Sequence, residues 1–170
     1  YPAAGQHVVQ PVARNGSLVD MAPHREKHAP AYRQFDPADP AETGSDETGA
    51  EAYYLLLRGL FVTSHLCDDF LRDNAMFGAE QVLVTSASSK TSLALAHELK
   101  VNRSARSIGL TSARNLEFVR STGLYDEVIV YDDIEALPVV PSVVVDMAGN
   151  ADVLRRVHEH FGPALGHSCR

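Results

Sequence analysis

Apolar positions along the chain change period several times, and those changes mark its elements. From 51 to 74, Leu56, Leu57, Leu60, Phe61 and Ser64 recur at helical spacing, and Asp68, Asp69, Arg72 and Asp73 supply a polar end, so a helix is predicted there. Val82, Leu83 and Val84 then make a short continuous apolar run, the pattern of a strand covered on both faces. Leu93, Leu95, Ala96 and Leu99 return to helical spacing. Beyond them the alternation continues with strand 107–111, helix 115–121, strand 127–131, strand 142–147, helix 152–161 and strand 164–168. Strands alternating with helices imply an α/β fold with a parallel sheet and right-handed crossovers, whose ligands bind beyond the carboxyl ends of the strands. That edge collects residues 85–89, 111–114, 131–133, 147–150 and 168.

The first part of the chain follows other patterns. Residues 7–14 and 17–21 flank Asn15-Gly16, a pair that favours a tight hairpin turn, and Pro11 marks the first strand as an edge. From 22 to 49 prolines and charges occur without any period, as in a long crossing segment. The predicted organisation is a hairpin over 1–22, a linker over 23–50 and an α/β domain over 51–170. A hairpin alone is marginal in water, so it is expected to belong to a larger sheet whose other strands lie outside this chain.

Composition narrows the function classes. The 170 residues are 45% hydrophobic and 22% charged, enough apolar material for one good core. A net charge of −7, without any basic stretch carrying interleaved aromatics, argues against a nucleic-acid surface. No apolar run approaches the roughly 18 residues a membrane span needs, so no membrane partner is expected. Cys67 and Cys169 fit no metal or redox spacing and read as reduced thiols of a cytoplasmic protein. His24 and His28 are four apart but lack the further ligands of a zinc site, and His158 and His160 point to different helix faces, so no metal is expected.

The candidate chemistry sits where strand 82–84 turns into the next helix. A helix that starts at such a turn leaves unpaired amides and a positive dipole end, which suit an anion. Ser86, Ala87, Ser88, Ser89, Lys90 and Thr91 add hydroxyls and one ammonium, and Ser88 or Ser89 can cap the helix. The P-loop pattern would need glycines at Val84 and Ser89, leaving only Lys90-Thr91 as a match. The dinucleotide pattern GxGxxG has the right strand, turn and helix, with Ser86, Ser88 and Thr91 in place of its glycines. Taken alone, the loop is better explained as a helix capped by Ser88 or Ser89 on a parallel sheet.

The second strand end changes that balance. Readers of NAD place an acid there for the ribose hydroxyls, whereas readers of NADP offer a cation. Here Thr111, Ser112, Ala113, Arg114 and Asn115 include no acid, and Arg114 beside hydroxyl residues suits a dianionic 2′-phosphate. Between 82 and 124 six lysines and arginines stand against Glu98 and Glu117, in a chain that is acidic overall.

The stretches VLVTSASSKTSLALAHEL, IGLTSARNLEFVRSTGLYDEVIVYDDI and VVVDMAGNADVLRRVHEHFG resemble the nucleotide domain of the medium-chain dehydrogenase/reductases of the zinc-free quinone-reductase type. They resemble most closely the DUF2855 family, in which a serine-rich turn is the usual form. The resemblance covers about 53–169 and extends weakly to the hairpin, which is similar to the tail of a GroES-like catalytic domain. It implies a Rossmann-like, doubly wound parallel sheet of order 3-2-1-4-5, with a sixth strand after Arg170 and a substrate domain before Tyr1. It further implies NADPH as cofactor, with Ser86 to Lys90 at the pyrophosphate, Thr111, Ser112 and Arg114 at the 2′-phosphate, and Tyr131 beside the adenosine phosphate. Met147, Ala148 and Gly149 fall near the nicotinamide ribose, as part of a DxxGG-like turn running from Asp146 to Asn150, and Ser168 falls at the fifth strand end. Thr63 or Ser64 matches a hydroxyl near the nicotinamide, in a catalytic role. The implied activity is hydride transfer to a small carbonyl, enone or quinone, in a cytoplasmic homodimer. The rival reading is a nucleotide-binding or interaction module without turnover.

Overall fold

The computed structural model describes residues 8–11, 15–37, 50–103 and 105–170, and the chain divides into two compact units, Tyr1–Tyr54 and Leu55–Arg170. In the first unit β1 (Val9–Pro11), β2 (Leu18–Asp20) and β3 (Gln34–Phe35) form an antiparallel sheet in that order. Val9 pairs with Asp20 and Pro11 with Leu18, which leaves β1 at an edge, where a residue without an amide hydrogen is tolerated. Gly16 has φ +75°, and the Ser17 amide donates to Asn15 Oδ1 at 3.0 Å, so the turn pair does bend the chain. The remainder of the expected hairpin, residues 7 and 12–14, lies outside the described residues, as do residues 38–49 of the expected linker.

Residues 23–37, read from the sequence as a crossing segment, instead carry two 3-10 turns, Pro23–Arg25 and Pro30–Tyr32, followed by β3. The cause is a polar anchor that no periodicity reveals. Arg25 is buried and donates to Asp20 Oδ2 at 3.2 Å and to the Tyr32 carbonyl at 2.6 Å, tying both turns to β2. Burying an arginine is tolerated only with such partners.

In the second unit, helix α1 (Ala50–Asp73, continuing across the unit boundary) is followed by a short turn, Ala75–Gly78, in which Ala75, Met76 and Phe77 have φ of 50°, 51° and 52°. Five strands come next: β4 (Gln81–Val84), β5 (Arg106–Thr111), β6 (Glu127–Val130), β7 (Ser142–Val145) and β8 (Leu165–Cys169). They form a parallel sheet in the order β6-β5-β4-β7-β8. The alternation of strands and helices in the sequence thus does produce an α/β fold with a five-stranded parallel sheet.

The continuous apolar runs are explained by burial on both faces. Every residue of β4 and β7 is buried, and successive side chains enter different cores. Val82, Val84, Val143 and Val145 pack with Leu71 of α1, Leu95 and Leu99 of α2 (Lys90–Asn102) and Val119 of α3 (Leu116–Thr122). Leu83, Ile108, Leu110 and Val144 pack on the other face with Val153, Val157 and Phe161 of α4 (Ala151–Phe161). Each fully buried side chain of this kind contributes about 2 kcal/mol, so the two cores hold the carboxyl edge of the sheet rigidly. Gly59, in the middle of α1, has nothing within 4 Å of a Cβ built on it, so it marks no close approach.

Candidate functional site

The turn from β4 to α2 is built around a left-handed serine. Ser86 has φ 49°, the conformation a glycine would adopt without strain, and it lets the chain reverse at once into α2. Ser89 is the helix N-cap: its hydroxyl oxygen accepts the Ser92 amide at 3.1 Å, and the Ser92 hydroxyl reaches back to the Thr85 carbonyl at 2.9 Å. The Ala87 amide donates to the Leu110 carbonyl at 3.0 Å and the Ser89 amide to the Ser86 carbonyl at 2.7 Å. The amides of Ser88, Lys90 and Thr91 have no acceptor among the described residues, and Lys90 is exposed beside them. Three open donors, an ammonium and the positive end of a 13-residue helix are groups whose chemistry suits an anion such as a phosphate.

Neighbouring residues hold this turn in place. A Cβ on Gly109 would come within 3.0 Å of both Ala87 Cβ and the Tyr125 ring, so β5 approaches the turn as closely as a glycine permits. The buried Tyr125 hydroxyl lies 3.2 Å from the Ala87 carbonyl and 2.9 Å from that of Ser92, and burial raises the phenol well above its usual range. Both contacts position the turn without entering it.

The second strand end reaches the same place. After β5, residues Ala113–Asn115 form a 3-10 turn, and Asn115 Nδ2 donates to Ser88 Oγ at 3.0 Å, joining the two rim loops. Sequence patterns did not single out Asn115 as a site residue, because its role depends on a partner 27 positions away. Arg114 is exposed, with no side-chain partner among the described residues. Ser112 is half-buried, whereas Thr111 is enclosed at the end of β5 and offers nothing to the rim.

Tyr131 follows β6 as the first residue of the 3-10 helix Tyr131–Ala136. Its hydroxyl oxygen accepts the Ser86 amide at 3.0 Å, and burial keeps its phenol protonated to higher pH than usual. Its own hydroxyl hydrogen has no acceptor among the described residues.

At the fourth strand end, Asp146 closes a tight turn. Its Oδ1 accepts the Thr85 hydroxyl at 2.7 Å and the amides of Ala148 and Gly149 at 3.1 and 3.2 Å, while Thr85 Oγ1 accepts the Met147 amide at 2.9 Å. Gly149, at φ +65°, completes the bend. The Met147, Ala148 and Gly149 amides are therefore directed inward, and Asp146 Oδ2 is buried with no partner among the described residues.

Three of the expected contributions are placed elsewhere. Thr63 donates to the Gly59 carbonyl at 2.9 Å within its own helix. Ser64 is fully buried, its hydroxyl 2.9 Å from the Leu60 carbonyl and 2.8 Å from that of Thr91, so it fastens α1 to the start of α2. Neither hydroxyl hydrogen is directed at the rim, because an unpaired hydroxyl in a packed helix finds the carbonyl one turn back. Ser168 pairs with Val144, one row below the strand end, and its hydroxyl meets His158 of α4 at 3.2 Å. A cavity of about 510 Å³ lined by Leu99, Lys100, Arg103, Ala105, Arg106 and Asp126 lies at the amino end of β5, away from this rim. Among the described residues no cluster of three or more His, Cys, Asp or Glu is placed to hold a metal, and no helix is long and apolar enough to cross a membrane.

The fold and rim define an α/β protein with a turn of open amides at the carboxyl edge of a five-stranded parallel sheet. The chain belongs to the DUF2855 family, described as "Protein of unknown function (DUF2855)", whose pattern matches residues 1–170. No curated protein matches it. Among solved structures it is similar to one from Thermobifida fusca YX described as "a putative methyltransferase", with 17% identity over 75% of this chain and 54% of that one and a TM-score of 0.37. The chain thus spans about half the length of that structure.

Proposed function

We propose that this chain is the nucleotide-binding part of an NADPH-dependent oxidoreductase of the zinc-free quinone or enone reductase type, within the medium-chain dehydrogenase/reductase superfamily. The observation that carries the reading is the joining, through Ser88 and Asn115, of a turn with three open amides to a strand end that bears Arg114 and no acid. The first loop suits a pyrophosphate, which NADH and NADPH share, and the second a 2′-phosphate, the group by which NADPH is told from NADH. The residues that would hold the cofactor are Ser88, Lys90 and Thr91 at the pyrophosphate, Ser112 and Arg114 at the 2′-phosphate, and Tyr131 beside the adenosine phosphate. When bound, the nicotinamide supplies a hydride to a small carbonyl, enone or quinone substrate. The sheet is read as Rossmann-like and doubly wound, and the three-stranded first unit as the tail of a GroES-like domain. A cytoplasmic, homodimeric full-length protein completes the reading.

A second reading is favoured by Thr63 and Ser64. Both hydroxyls are engaged by carbonyls, which fits a nucleotide-binding module without turnover. Two measurements separate the possibilities. Calorimetric titration of the chain is expected to give NADPH at least about tenfold tighter binding than NADH, from charge-assisted contacts that NADH lacks, and binding of neither would overturn both readings. NADPH oxidation by the full-length protein across a panel of quinones and enones then identifies an enzyme, whereas binding without oxidation identifies the module.

A further inference from the structure

Cations gather at the edge of the sheet opposite the rim, in a chain whose net charge is −7. Helix α2 ends there and β5 begins, and the cavity of about 510 Å³ beside them is lined by Lys100, Arg103, Arg106 and Asp126 together with the apolar Leu99 and Ala105. The acid in the lining is turned away from the cations. Asp126 Oδ2 accepts the Ser107 amide at 2.7 Å and the Ser107 hydroxyl at 2.9 Å, and Asp126 makes no ion pair with Lys100, Arg103 or Arg106 among the described residues. Lys100 gives one hydrogen to the Gly123 carbonyl at 2.6 Å, and Arg106 gives Nη2 to Glu127 at 2.7 Å. Arg103 has no side-chain partner among the described residues. An ammonium and two guanidinium groups carry many more donors than these contacts use.

The bland explanation of such cations is that they complement the negative end of a helix. It accounts for Lys100, in the last turn of α2, but not for Arg106, which belongs to β5. Nor does it account for Arg103, the C-cap of α2, which holds φ 50° and ψ 38° while its amide donates to the Leu99 carbonyl. Glycine closes a helix in that conformation with less strain, so what the arginine adds is its side chain at the cavity.

We propose that this cavity binds an organic phosphate, a dianionic monoester on an apolar body, with Arg103, Lys100 and Arg106 on the phosphate and Leu99 and Ala105 against the body. Two guanidinium forks and an ammonium suit the oxygens and double charge of a phosphate better than the single charge of a carboxylate. The volume falls in the range of small-molecule sites, larger than a bare ion needs. Arg103 is the main anchor, since Arg106 is shared with Glu127 and Lys100 with Gly123. The inference does not depend on whether the rim binds a nucleotide, because the rim lies at the other end of both α2 and β5.

The test is titration of the isotopically labelled full chain with phenyl phosphate, followed residue by residue by NMR. Saturable shifts are expected at Leu99, Lys100, Ala105 and Arg106, with a Kd of about 1 mM or tighter. Benzoate, which has the ring and one charge, and inorganic phosphate, which has no body, should each bind there at least about tenfold more weakly. Arg103→Gln should weaken phenyl phosphate at least about tenfold as a charge-assisted contact is lost. Arg103→Gly removes the same side chain where glycine is unstrained, so it should lose the ligand equally while keeping wild-type resistance to urea. Shifts confined to Ser86–Thr91, absence of saturation, benzoate or inorganic phosphate binding as tightly as phenyl phosphate, or wild-type affinity in both Arg103 variants would overturn the proposal.

Discussion

The Tyr131 hydroxyl oxygen accepts the Ser86 amide at 3.0 Å, so the end of β6 completes the turn that follows β4. The phenol occupies one backbone donor of the turn and leaves its own hydrogen to offer in exchange. A donor already polarised by an incoming hydrogen bond is a stronger donor. Tyr131→Phe is therefore expected to weaken binding of pyrophosphate or NADPH by about 1 kcal/mol, roughly fivefold, as the hydroxyl donor is lost. Calorimetry on the variant checks this, and unchanged affinity would mean that the phenol serves only to fill the Ser86 amide.

Arg114 has a different signature. As an exposed guanidinium without a partner among the described residues, it contributes little to folding. Arg114→Ala is expected to weaken NADPH binding by about 1 to 3 kcal/mol while leaving NADH unaffected. Equal losses for both cofactors would assign Arg114 to the structure of the turn instead.

Thr63 and Ser64 are expected to matter for stability more than for chemistry. Ser64→Ala removes the link from α1 to the Thr91 carbonyl and should cost about 1 kcal/mol in urea unfolding, while Thr63→Ala, losing only a contact within its helix, should be close to neutral. Turnover of the full-length double variant should stay within about threefold of wild type, since no transition-state contact is removed. A larger fall in the catalytic rate at unchanged NADPH affinity would restore a catalytic role to this helix.

His65 and Glu98 couple α1 to α2 in a pH-dependent way. The imidazole Nδ1 lies 2.8 Å from Glu98 Oε2, and that hydrogen bond, with the carboxylate charge, raises the His65 pKa above its ordinary 6.5. Because the folded value lies above the unfolded one, the stabilisation is fully present below about 6.5 and is lost as pH rises through the raised folded value. Wild type should therefore lose more urea resistance between pH 5.5 and 8.5 than Glu98→Gln, and parallel curves for the two proteins would remove the pair from the account.

What the sequence determined by itself is the part of the structure that repeats. The apolar run of β4, the valines of β7 and the helical spacing of α2 and α4 each specify an element through contacts made many times over, and a parallel sheet follows from their alternation. The turn at Ser86 to Lys90 and the acid-free end of β5 were legible for the same reason, since a change of period marks the carboxyl edge. Only the tertiary structure decided which polar groups at that edge are open. Thr63 and Ser64 looked like donors in sequence but spend their hydrogens on carbonyls, and Asn115, Asp146 and Tyr131 acquire their roles from partners 27, 61 and 45 positions away. Arg25 likewise ties together the first unit through a buried ion pair with Asp20 and a hydrogen bond to the Tyr32 carbonyl that no pattern announces. Hydrophobic burial is additive and leaves a period in the sequence, whereas a hydrogen bond depends on one donor meeting one acceptor, and that meeting exists only once the chain has folded.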